Sequence, residues 1–218
     1  MKSKVIFFHT NEKKGGCTMK DITLDKKREI EDVVTNILSD YDFSKDISVD
    51  IVTLVRNDGF LVQNADMPID VTGYLAVNDK NPVDEKGRFN RLIVVNTKFR
   101  NPGNEENVVL KKSRFITAHE YGHFILHKKD QELYAHRDSD KREKPEELEA
   151  DYFARSILMP MKQFSLFNQV INSVLSNANG IEESDLMKVR LLSTLFKVTT
   201  DKVKKRLGDI SEFNTANA

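Results

Sequence analysis

The chain has 218 residues, 34 basic and 34 acidic side chains, 39% apolar residues and one cysteine, Cys17. This length suits one domain with an appendage or two small domains, enough to bury a core without cross-links. Zero formal net charge removes any global pull toward nucleic acid or an anionic membrane, and a single cysteine excludes an intrachain disulfide.

Met1-Lys2-Ser3-Lys4 precedes a short apolar run, Val5–Phe8, which is too brief for a signal peptide. No apolar run approaches the ~20 residues of a membrane helix. The expectation is a cytoplasmic protein with no membrane partner. Cys17, in Gly15-Gly16-Cys17-Thr18, has no partner at metal-ligand spacing and reads as an incidental thiol. Residues 1–23 read as an N-terminal arm.

From Leu24 to Ile37 the apolar residues Ile30, Val33, Val34 and Ile37 recur at helical spacing. Strand-like text follows. Ile51–Val55 is apolar and β-branched, Asn57-Asp58-Gly59 signals a turn, and Phe60-Leu61-Val62 continues beyond it. Gly73–Val77 and Leu92–Val95 read as two further strands, separated by the polar stretch 78–90. Such strands predict an antiparallel sheet. After a loop at Asn101–Asn104, helical text runs from about Lys111 to His127. A polar linker, 128–144, leads to Pro145, which is suited to a first helical position. That helix is expected to stop at Pro160.

Chemistry concentrates in His119-Glu120-Tyr121-Gly122-His123, an H-E-x-x-H string. Residues four apart share a helix face, so both imidazoles can reach one ion. Glu120, rotated by one position, reaches a water there rather than the metal. Phe115, Ile116, Ala118, Phe124, Ile125 and Leu126 surround the motif. Three ionisable groups in such apolar text are costly unless they have a purpose. Gly122 costs about 1 kcal/mol relative to alanine in mid-helix, which is tolerable where another element must come close.

His127 lies eight residues beyond His119, about 12 Å along a helix, too far for both to join one ion. It reads as a helix-end residue or a polar neighbour of the site. The third ligand is expected on the next helix, among Glu146, Glu147 and Glu149. Glu147 leads because it shares a face with Ala150, Ala154 and Asp151, and a carboxylate one turn on can fix a ligand histidine's tautomer. Glu146 is second choice. An ordinary acidic first turn accounts for the remainder of the trio.

The stretch Arg114-Phe-Ile-Thr-Ala-His-Glu-Tyr-Gly-His-Phe-Ile-Leu-His127 resembles the core of the ImmA/IrrE family of metallopeptidases. Glu147-Leu-Glu-Ala-Asp-Tyr-Phe-Ala154 with Ile157-Leu-Met-Pro160 resembles its second signature. The resemblance covers most of residues 25–210. It implies a thermolysin-like (gluzincin-like) active site with an appended helix-turn-helix-like region. Carried over by position, His119, His123 and Glu147 are the metal ligands, Glu120 is the catalytic base, and Asp151 stands in the second shell. Zn²⁺ is the expected cofactor, and Mn²⁺ or Fe²⁺ suits the same donors. The implied partner is a helix-turn-helix repressor cut by the enzyme, in control of mobile elements or stress genes. The linker 128–144 and the N-terminal arm depart from the family pattern.

Between Lys188 and Leu207 stand seven basic residues and one acid, Asp201. Leu191, Leu192, Leu195, Phe196, Val198, Val203 and Leu207 outline two helices, with Thr199 or Thr200 as a cap and Gly208 as the expected end. A packing module with a solvated basic face is favoured over a DNA reader. The alternative function is therefore a non-catalytic or weakly catalytic regulator that binds DNA or protein through this region. The expected fold is α+β, with a small antiparallel sheet packed on the metal-bearing helices. The expected regions are 1–23, a metallopeptidase domain at 24–165, and a helical region at 166–218.

Overall fold

The computed structural model describes residues 22–68, 71–77, 91–98, 106–127, 134–137, 144–175 and 181–216. Of the expected arm at 1–23 only residues 22 and 23 are described, and the polar stretch 78–90 and the loop at 101–104 lie outside the described residues. The fold class is α+β, as expected.

Helix α1 (Leu24–Ile37) begins where the Thr23 hydroxyl accepts the Lys26 N–H. Ile30, Val34 and Leu38 repeat every four residues and are buried. Ile51–Val55, expected as a strand, is instead part of helix α2 (Ile51–Asn57). Asp50 caps it, accepting from the Thr53 amide at 3.2 Å and from its hydroxyl at 2.7 Å. Ile51 and Val55 are buried while Thr53 between them is exposed. A half-buried strand would have turned all three to one face. Local capping and a 3.6-residue burial pattern therefore overrode the β-branched composition. Gly59, at φ 86°, closes the turn.

Four described strands follow: β1 (Leu61–Ala65), β2 (Val71–Val77), β3 (Arg91–Asn96) and β4 (Tyr134–Arg137). Their spatial order is β1-β3-β2-β4. β2 runs antiparallel to both neighbours, whereas β1 pairs with β3 in parallel, so the sheet is mixed rather than wholly antiparallel. β3 fills the place between β1 and β2, and this produces the parallel pair. β4 arises within the stretch expected to be only a linker.

Helix α3 (Glu106–His127) packs on β2 and β3 and, on its other side, against α4 (Pro145–Leu158). Pro145 occupies the start of α4 as expected. Ala150, Tyr152, Phe153, Ala154, Ile157 and Leu158 of α4 are buried at the centre of the core. Then come α5 (Met161–Leu175), α6 (Ile181–Leu195) and α7 (Thr200–Ala216). α5 runs through residues 165 and 166.

α7 does not stop at Gly208. It continues two turns because Asp209 meets Arg155 at 2.9 Å and Ile210 is buried. That tertiary gain exceeds the roughly 1 kcal/mol cost of a mid-helix glycine. No helix among the described residues is long and apolar enough to cross a membrane.

Candidate metal centre

His119, Glu120 and His123 lie in the C-terminal half of α3, with Glu120 and His123 buried and His119 partly so, and Glu147 lies on the first turn of α4. Gly122 sets the distance between the two helices. A Cβ there would stand 2.9 Å from Cδ1 of Phe153 and 3.3 Å from its Cβ. Only a residue without a side chain lets α4 come this near. The close approach inferred from the glycine is therefore an approach by α4, the helix that carries Glu147.

The donor atoms of His119, His123 and Glu147 converge and can hold a metal ion. The two Nε2 atoms are 3.0 Å apart, and Oε2 of Glu147 lies 3.4 Å from His119 Nε2 and 3.7 Å from His123 Nε2. A tetrahedral ion with ligand bonds of about 2.0–2.1 Å holds its donors about 3.3–3.4 Å apart. The three edges bracket that length, so the donor set fits zinc. Neither Glu146 nor Glu149 belongs to the converging group. Glu149 instead approaches Nε2 of His127, at 3.2 Å.

On the far side of His119, Nδ1 lies 3.1 Å from Oδ1 of Asp151. Burial opposes a charged His119, but hydrogen bonds to Asp151 and Glu147 and the nearby Glu120 carboxylate raise its pKa to about 10. Burial would raise the Asp151 pKa, yet His119, Lys202 and Arg155 hold it well below the usual carboxylate range. Both shifts have one physical meaning: this pocket favours positive charge between its carboxylates, as a proton or as a metal cation.

Glu120 is fully buried beneath the sheet. A Cβ at Gly73 on β2 would lie 2.6 Å from Cγ2 of Ile116, 3.0 Å from Oε1 of Glu120 and 3.1 Å from the Val94 carbonyl. Gly73 thus lets β2 run directly over the Glu120 carboxylate. In sequence it was only one residue of a strand, and nothing there marked it as a neighbour of the motif.

Tyr74, Tyr121, Tyr134, His136 and Tyr152 carry donors of the kind that can stabilise a developing oxyanion. Tyr121 donates its hydroxyl to Asp58 at 3.1 Å, and Tyr152 donates to Glu31 at 2.9 Å. Both are buried with their hydroxyls committed to these carboxylates. The side chains of Tyr134 and His136 lie outside the described residues.

Lys202 of α7 was not singled out from the sequence. Its Nζ stands 3.6 Å from Oδ2 of Asp151 and 3.7 Å from the centre of the Phe115 ring, one turn before His119. The basic run of the C-terminal region hid it, because a lysine among lysines carries no signal. Arg206 from the same run is also turned inward, wholly buried against Glu31. Two of the seven basic residues therefore serve packing.

Residues 104–208 match the family described as the IrrE N-terminal-like domain, peptidase M78. Over those residues the chain is similar to the ImmA/IrrE family. No curated protein matches the chain. The matched stretch spans α3 through most of α7 and contains the three converging donors, Glu120, Asp151 and the inward-facing Lys202 and Arg206. The first two helices and strands β1–β3 precede it in the chain. The family supports a metallopeptidase, and the donor geometry agrees with one.

Proposed function

We propose that this chain is a gluzincin-like, zinc-dependent endopeptidase that cuts one peptide bond in a specific protein partner, a helix-turn-helix repressor. The carrying observation is the triangle of His119 Nε2, His123 Nε2 and Glu147 Oε2, with Glu120 on the same helix. Three protein donors leave a fourth position open, which is the mark of a catalytic rather than a structural zinc site. Bound zinc supplies Lewis-acid polarisation of a carbonyl and acidifies water at neutral pH.

The remaining work falls to the chain's own side chains. His119, His123 and Glu147 hold the ion. Glu120 takes a proton from the attacking water and returns it to the leaving amine. Its burial under Gly73 excludes bulk water from that transfer. Asp151 accepts the His119 Nδ1–H, fixing the ring with its other nitrogen toward the metal.

An extended substrate is expected to dock by strand addition. β3 is interior to the sheet, and the outer side of β2 carries β4. A substrate strand entering beside Glu120 meets β4 first.

A DNA-binding role for the C-terminal helices draws less support. Lys202 and Arg206 spend their charges on Asp151 and Glu31. A repressor as substrate rests on the family resemblance, and cytoplasmic location on the sequence.

The first test is metal content of the purified chain beside His123→Ala and Glu147→Ala. About one zinc per wild-type chain, lost in both variants, is expected for a three-ligand site. Full zinc in Glu147→Ala would reassign the third ligand, and no zinc uptake by wild type would remove the enzyme reading. Incubation with a repressor encoded by a neighbouring gene should then give one discrete cut.

A further inference from the structure

We infer that His127 and Glu149 are positioning residues that fix the tautomer and orientation of His123 for metal binding. The inference rests on the metal site proposed above and assigns work to two side chains outside it. His123 turns Nε2 toward His119 and Glu147, at 3.0 and 3.7 Å. Its other nitrogen, Nδ1, lies 3.1 Å from Nδ1 of His127. One of these two nitrogens must donate and the other accept.

The far end of the relay decides which. Nε2 of His127 stands 3.2 Å from Oε2 of Glu149. A carboxylate only accepts, so that nitrogen carries the hydrogen, and a neutral imidazole then has only a lone pair at its other nitrogen. His127 Nδ1 is the acceptor and His123 Nδ1 the donor. Nε2 of His123 is left with its lone pair pointing at the metal position. Protein ligation through imidazole requires that tautomer, and a hydrogen bond at the second nitrogen normally selects it.

The two ligand histidines thus reach one tautomer by different means. His119 uses a carboxylate directly, through Asp151. His123 uses an imidazole that passes the demand on to Glu149. Both outer carboxylates and the ligand carboxylate come from α4, at positions 147, 149 and 151. Lys26 Nζ on α1 lies 3.7 Å from the same oxygen of Glu149 and holds it from the outside. A histidine placed at a helix end merely to suit the dipole would need neither contact. Here both ring nitrogens are engaged, and the side chain is 14% exposed.

The test is zinc affinity of the full chain, by competition with a chelating dye, together with the electronic spectrum of the Co²⁺-loaded protein. The panel is wild type, His127→Leu, His127→Gln, Glu149→Leu and His123→Ala. Metal-free melting temperatures are recorded for each. Loss of the group that hydrogen-bonds a histidine ligand typically costs about 10–100-fold in metal affinity. His127→Leu and Glu149→Leu should fall by that range with altered Co²⁺ bands and unchanged metal-free melting. His127→Gln, whose side-chain carbonyl can accept the Nδ1–H, should recover much of the affinity.

Wild-type affinity in His127→Leu, or equal losses in the leucine and glutamine variants, overturns the inference while leaving the metal site intact. Failure of the metal reading looks different: wild type and His123→Ala then bind zinc equally poorly, and the inference falls with it.

Discussion

Two of the regions that bury charge do so differently. Where α7 meets α1 and α4, the Arg206 guanidinium is fully buried and donates to Glu31 at 2.6 and 3.1 Å. It also donates to the Met159 carbonyl at 3.0 Å. Glu31 further accepts from Ser156 at 2.7 Å and Tyr152 at 2.9 Å. Cation and anion are both part of the chain, and the network closes on itself. Between α3 and α4, by contrast, two imidazoles and a carboxylate point their acceptor atoms at one spot. That cluster is complete only when a cation stands among them. The first arrangement fixes the packing of three helices, and the second can hold a metal ion. A buried polar network thus reveals its purpose by whether the charge it needs is built in.

The sharpest way to separate the two is Glu120→Gln. Loss of a general base should lower peptidase activity by about 10²–10⁴-fold. Zinc content and melting temperature should stay at wild-type values, because Glu120 is neither a ligand nor a member of the α7 network. A lost zinc ion would show that Glu120 supports the metal rather than the proton transfer.

Glu31→Gln tests the other region. It leaves the Arg206 charge buried without its counter-ion, a change that typically costs about 3–5 kcal/mol. Denaturant unfolding should show that loss, while zinc affinity per folded molecule remains unchanged. A variant as stable as wild type would mean that water reaches the guanidinium and the network is not closed.

The same network carries a pH dependence. Burial would raise the Glu31 pKa, but Arg206, Ser156 and Tyr152 outweigh it and hold the carboxyl below its ordinary 4.5. A group depressed in the folded state contributes stability above its unfolded pKa and loses it as pH falls through the folded one. Stability measured on the metal-free chain should therefore decline below about pH 4.5. Glu31→Gln should flatten that decline. An unchanged acid limb in the variant would assign the loss to other carboxylates.

The metal cluster was largely legible in sequence and the closed network was not, for a physical reason. His119, Glu120 and His123 sit within five residues, so helical spacing alone places them. Glu147 and Asp151 needed only the next helix. Glu31 and Arg206 are 175 residues apart in sequence, and each looks like any surface charge on an amphipathic helix. Only the packed core brings them together. The same limit explains Lys202 and the pairing of His127 with Glu149. The misread segment Ile51–Val55 shows the reverse error: β-branched composition gave a strong local signal, and the Asp50 cap with a buried Ile51/Val55 face overrode it. Gly208 likewise looked like a stop until Asp209 found Arg155.

Gly122→Ala is the smallest expected effect and the one that ties geometry to chemistry. The substitution gains about 1 kcal/mol of helix propensity. Against this, the new methyl meets Phe153 at 2.9 and 3.3 Å, and overpacking of a tight core typically costs about 1–3 kcal/mol. Net stability should move little, within about 2 kcal/mol either way. Zinc affinity should move more than stability does. To relieve the contact, α4 must shift away from α3, carrying Glu147 from edges of 3.4 and 3.7 Å to longer ones. The two histidines share one helix and keep their spacing, so the loss should fall on the third ligand alone. Combining Gly122→Ala with Glu147→Ala would check this: the double variant should bind zinc no more weakly than Glu147→Ala by itself. Additive losses would mean that Gly122 acts on the histidines, and that the separation of the two helices does not govern the site.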